Sequence, residues 1–128
     1  MYPSTSRPAG ALRVGVISDV HADLEALEQA LSLLVEMGAD KIVCLGDVVE
    51  KGPDGDAVVS LLSQWCVPVM RGNHEDNAVK HSTMPPSLRG GRSLSADTID
   101  RIGRYPGSRL YCWERTFVLA AHGTPKDN

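Results

Sequence analysis

The sequence predicts an α/β fold built on parallel strands, and three observations carry that prediction. Short apolar runs rich in β-branched residues alternate with segments of helical period, in the order β-α-β-α-β, then a helix, then β-β. Alternation of this kind implies right-handed crossovers between parallel strands. Four of the strand-like runs each end in a polar cluster, the position at which open α/β sheets bind ligands.

The elements follow in order. Residues 1–11, rich in Pro, Ser and Gly, read as a loose tail, and 12–128 as one domain. Leu12 to Ile17 is a buried strand. Asp23 is placed to cap a helix in which Leu24, Leu27, Leu31, Leu34 and Val35 recur at helical spacing, and Gly38 stops it. Lys41 to Leu45 is a second strand, Gly52-Pro53-Asp54-Gly55 a turn, and Ala57 to Trp65 a second helix. Cys66 to Met70 reads as a third strand, with a short helix after His74 and a loop over residues 82–93. Ser95 caps a helix over Ala96 to Ile102. Arg109 to Glu114 and Thr116 to Ala121 form two strands joined tightly at Glu114-Arg115.

Composition narrows the function classes. With 42% hydrophobic and 23% charged residues the chain reads as an ordinary soluble domain rather than a disordered one. A net charge of -3 and scattered Lys and Arg argue against nucleic-acid binding, though not against a nucleotide as substrate. No run is long and apolar enough to span a bilayer, and the N-terminus lacks the apolar core of a signal peptide. Cys44, Cys66 and Cys112 form no CxxC and read as buried thiols in a reducing compartment, so a cytoplasmic location is expected.

The polar clusters are Ser18-Asp19-Val20-His21, Gly46-Asp47, Arg71-Gly72-Asn73-His74-Glu75 and His122-Gly123. Asp, His and Asn offer oxygen and nitrogen donors suited to divalent ions, and no Cys enters any cluster. Asp19 and His21 are two apart, so an extended segment points both the same way. His81 stands near Lys80 and reads as solvated surface. Phosphate-loop, dinucleotide-fingerprint and nucleophile-elbow motifs are absent.

Taken in order, Asp19-Val20-His21, Gly46-Asp47 with Gly52, Gly72-Asn73-His74-Glu75 and His122-Gly123 resemble the successive signatures of calcineurin-like metallophosphoesterases. Gly52-Pro53-Asp54 and His122-Gly123-Thr124-Pro125 resemble the small bacterial and archaeal phosphodiesterase branch. The stretch from Gly46 is also similar to the Ser/Thr protein phosphatase signature, with Glu50-Lys51 where that family has Asp-Arg. The resemblance implies a β-sandwich flanked by helices (αββα), incomplete at its C-terminal end. It implies two divalent metal ions drawn from Mn, Fe, Zn or Ni, with Asp47 bridging, Asp19 and His21 on the first and Asn73 and His122 on the second. His74 would be the general acid, and Arg71 or Lys51 would touch phosphate. Two departures stand out: Ala22 replaces the usual Gly, and the later Gly-His-x-His segment is not in this sequence.

The expected function is hydrolysis of a small phosphate mono- or diester by a two-metal-activated hydroxide. The alternatives are a catalytically impaired module of the same fold that binds protein, and a protein phosphatase or dinucleoside polyphosphate hydrolase. The missing segment leaves two expectations: a piece of a longer enzyme, or a short form with each metal on three protein ligands. Either leaves an open sheet edge through which the chain would self-associate.

Overall fold

The computed structural model describes residues 11–83 and 94–123. The expected tail and most of the expected loop at 82–93 lie outside the described residues. The elements are β1 (Val14–Ile17), α1 (Leu24–Glu36), β2 (Lys41–Cys44), α2 (Gly55–Gln64), α3 (Asn73–Ser82), α4 (Ala96–Gly103), β3 (Ser108–Trp113) and β4 (Thr116–Ala121).

β1 and β2 pair in parallel, Val14 opposite Lys41 and Ile17 opposite Cys44. α1 makes the crossover between them. The Asp23 carboxylate accepts from the Ala26 N–H at 3.1 Å, satisfying one of the helix's orphan donors. Leu27 and Leu31 face inward, and Gly38 takes a φ of 78° as the chain leaves the helix.

The third strand expected over Cys66 to Met70 is reduced to one parallel bridge between Cys44 and Val69. Two hydrogen bonds hold it, Cys44 N–H to Pro68 O at 2.9 Å and Met70 N–H to Cys44 O at 2.8 Å. The physical reasons are local. Pro68 has no N–H to extend a ladder. Cys66 adopts a left-handed φ of 54°, which turns the chain before an extended run can start.

β3 and β4 form an antiparallel hairpin, Ser108 opposite Ala121 and Trp113 opposite Thr116. Glu114 (φ 49°) and Arg115 (φ 65°) make the two-residue connection. Paired left-handed residues match the right-handed twist of the strands they join.

Strand alternation assigns β2 to two packing layers. Cys44 faces a helix-side core with Ile17, Leu27, Leu31, Val58, Leu62 and Ile102. Val43 faces the other way, into a smaller cluster with Met70 and Ala120 that seats the hairpin through Tyr111. The outward hairpin residues Leu110, Phe117 and Leu119 are exposed.

The expectation of buried thiols holds for Cys44 alone, whose thiol burial pushes up to about 12. Cys66 is exposed at the left-handed turn after α2. Cys112 is exposed because it shares the outward face of β3 with Leu110.

Candidate metal centre

The site is assembled by three loops welded together through their backbones. The loop after β1 is zipped to the loop after β2: Asp19 N–H to Gly46 O at 2.9 Å, His21 N–H to Asp47 O at 2.9 Å, and Ala22 N–H to Val48 O at 2.8 Å. Gly52 packs so closely here that a Cβ on it would fall 2.4 Å from the His21 carbonyl oxygen. Gly46, with a φ of 108°, lets the β2 loop pass the start of the third, where a Cβ would fall 2.7 Å from Met70 O.

Glu75 locks the third loop to the second. It is fully buried, and its carboxylate accepts four backbone N–H groups. Oε1 takes Asp47 N–H at 2.7 Å and Gly72 N–H at 2.9 Å. Oε2 takes Val48 N–H at 2.9 Å and Val49 N–H at 3.3 Å. Burial raises the Glu75 pKa, and the four donors pull against that rise by favouring the anion.

The backbone at the site is left-handed at Asp19 (φ 57°), His21 (φ 49°), Ala22 (φ 58°) and Asp47 (φ 57°). Asp and His are among the residues that tolerate this region; Ala is not. Ala22 therefore carries a cost of about 1–2 kcal/mol that a glycine would avoid.

Two groups of donor atoms result, each lying within 4.8 Å of one another: Asp19, Asp47 and His122, and His21, Asp47 and His74. Asp47 belongs to both. It is buried, its Oδ1 accepts the His74 N–H at 3.0 Å, and its Oδ2 lies 3.1 Å from His122 Nε2. His122 reaches the site from the end of β4, with Nδ1 held 2.9 Å from Leu45 O. His21 Nε2 lies 3.4 Å from Asp19 Oδ1, and the His21 and His74 rings meet edge-on at 4.9 Å. The Ser18 hydroxyl, 2.6 Å from Asp19, holds that carboxyl below its usual range, helped by His122 and His21.

The structure thus gathers Asp19, His21, Asp47, His74 and His122. It groups His122 with Asp19, and His21 with His74. Asn73 opens α3 beside them and is exposed. The Arg71 guanidinium is engaged 3.1 Å from Gly103 O and 3.0 Å from Asp76 Oδ1. Lys51 is exposed in a left-handed turn of φ 73°.

Two contributors were not singled out from the sequence. Glu75 was legible as the fourth residue of a Gly-x-x-Glu capping-box spacing at a helix start. Glu50 lies 2.9 Å from His74 Nδ1, and its other oxygen lies 3.6 Å from Nδ1 of His81, whose side chain is largely exposed.

These residues fit a divalent cation. Carboxylate and imidazole are hard-to-borderline donors converging from three loops and the end of β4. The buried Nδ1 of His21 has no hydrogen-bond partner, an arrangement that costs about 1–3 kcal/mol unless something binds there.

Residues 12–124 match the profile of the calcineurin-like phosphoesterase family, and the chain belongs to that family. Among its relatives, an uncharacterized protein of Methanocaldococcus jannaschii is 41% identical over 63 residues, 48% of this chain and 26% of that protein. A metallophosphoesterase from Sphaerobacter thermophilus superposes with a TM-score of 0.65 at 29% identity, over 79% of this chain and 44% of that one. A structure described as a candidate diadenosine tetraphosphatase superposes with a TM-score of 0.59 at 30% identity, over 80% of this chain and 46% of that one. The chain therefore spans less than half the length of each. Among the described residues, no helix is long and apolar enough to cross a membrane.

Proposed function

We propose that this chain supplies the core of a two-metal centre that hydrolyses a small phosphate mono- or diester. The observation that carries the reading is Asp47: one buried carboxylate shared by two separate donor groups at the strand ends. Asp19, Asp47 and His122 would hold one ion, and His21 and Asp47 the other, with Asn73 and His74 at its margin. Such ions supply Lewis-acid polarisation of the phosphoryl group and a water nucleophile that is potent at neutral pH.

The protein groups divide the remaining work. Asp47 is oriented through the His74 N–H and through the Glu75-locked backbone on either side of it. Glu50 fixes the tautomer and plane of His74 by taking Nδ1. In the imidazolium form, with Nδ1–H donated to Glu50, Nε2–H is the proton that would pass to the leaving oxygen. Lys51, exposed in the turn that follows Asp47, would be the cation offered to the outer phosphoryl oxygens. Free thiols at Cys44, Cys66 and Cys112 support a reducing, cytoplasmic setting.

The test is manganese-dependent hydrolysis of bis-p-nitrophenyl phosphate by the purified chain, with Asp47→Asn as the comparison. Hydrolysis should fall more than about a hundredfold in that variant, because removing the shared ligand disturbs both donor groups. Equal turnover by the two proteins would overturn the reading. The second reading, cleavage of a dinucleoside polyphosphate, is favoured by the similarity to the tetraphosphatase structure. Preference for a dinucleoside polyphosphate over the diester would select it.

A further inference from the structure

A cavity of about 610 Å³ opens on the flank of the fold between the C-terminal ends of α2 and α4, the Val67–Val69 run and β3. None of the candidate metal donors lines it. We propose that it binds a phosphorylated small molecule carrying a flat ring, a mononucleotide by size and chemistry.

The lining is chemically one-sided. It holds three arginines, Arg101, Arg104 and Arg109, and no acidic residue, in a chain whose net charge is -3. Arg101 is fixed in place by the Ser63 hydroxyl and by Asp97 at 3.2 Å. Arg104 is steadied by Asp100 at 3.2 Å. Both pairs are solvent-exposed i,i+4 contacts, which leave most of the guanidinium's five donors open to a stronger anion. Planar guanidinium forks match phosphate oxygens better than any other side chain.

The rest of the cavity suits a ring. The Arg109 guanidinium lies 5.4 Å above the Tyr111 ring, which itself stacks on Trp113 at 4.6 Å. Val67, Pro68 and Tyr105 add apolar wall. Aromatic and guanidinium planes are the surfaces on which bases stack. The volume lies within the roughly 300–1,000 Å³ typical of small-ligand sites.

Cys66 lines the same cavity and is exposed, so it reports on occupancy. The experiment follows alkylation of Cys66 by iodoacetamide, by mass spectrometry, in a Cys112→Ser chain. Buried Cys44 stays silent, and EDTA keeps the metal centre out of play. AMP should slow Cys66 alkylation saturably, while adenosine and inorganic phosphate at the same concentration should not. Arg104→Ala and Arg109→Ala should each raise the AMP concentration for half-protection about tenfold. No slowing by AMP, equal slowing by adenosine or by phosphate, or protection unchanged in both arginine variants would each overturn the proposal. Because no hydrolysis is read, failure here leaves the phosphoesterase reading standing, and the reverse also holds.

Discussion

The loops after β1 and β2 and the β3–β4 hairpin both deliver residues to the metal centre, and they are held there by opposite means. The loops are fastened by buried polar bonds, above all the four N–H groups converging on Glu75. The hairpin rests on one small apolar cluster, Val43, Met70 and Ala120, and leaves its outer face in water. A backbone bent into left-handed turns has few internal partners, so a buried carboxylate must supply them. A regular hairpin satisfies its own backbone and needs only a seat.

The largest effect should come from Glu75→Ala, which would strand four buried donors at about 1–3 kcal/mol each. The chain should fail to fold, or unfold at far lower denaturant, as read by circular dichroism. A variant close to wild type would show that the loops hold without this carboxylate.

Next in size, Met70→Ala should cost about 2–5 kcal/mol as a buried truncation beneath the hairpin. Phe117→Ser, on the same hairpin's outer face, should stay within about 0.5 kcal/mol. Equal losses in chemical denaturation would erase the distinction between seat and surface.

His122→Ala should weaken metal binding about 10- to 100-fold, measured by calorimetric titration with manganese. It removes one donor from the Asp19 group and leaves the His21 group whole. Unaltered titration would mean that the hairpin contributes shape and no ligand.

The smallest effect sharpens the view of strain. Ala22→Gly should stabilise the fold by about 0.5–1 kcal/mol, because it relieves a left-handed alanine. A loss of stability would show that the buried methyl is worth more than the strain.

Legibility in the sequence followed the same division. Helices with a clear apolar stripe and a capping side chain were readable to within a residue or two, as at Asp23 and Ser95. The hairpin and its turn were readable from two apolar runs flanking Glu114-Arg115. The run from Cys66 was misread, because β-branched composition says nothing about which N–H groups find partners, and Pro68 has none to offer. The residues of the centre were visible because Asp, His and Asn at successive strand ends are a chemical pattern. Which of these donors come within reach of one another is a matter of folding, since His122 meets Asp47 only when the hairpin folds back. Glu75 was readable only as a helix-start residue, because the donors it accepts from the Asp47 loop are main-chain groups and leave no trace in a sequence.

The close approach of Gly52 to the His21 carbonyl has a consequence for anyone scanning this chain by mutation. A screen scored on turnover would rank Gly52 among the most sensitive positions, level with carboxylates, although glycine offers the substrate no functional group. Its intolerance would measure the thickness of the wall between two loops. Sensitivity maps of such a centre therefore trace its masonry as faithfully as its chemistry.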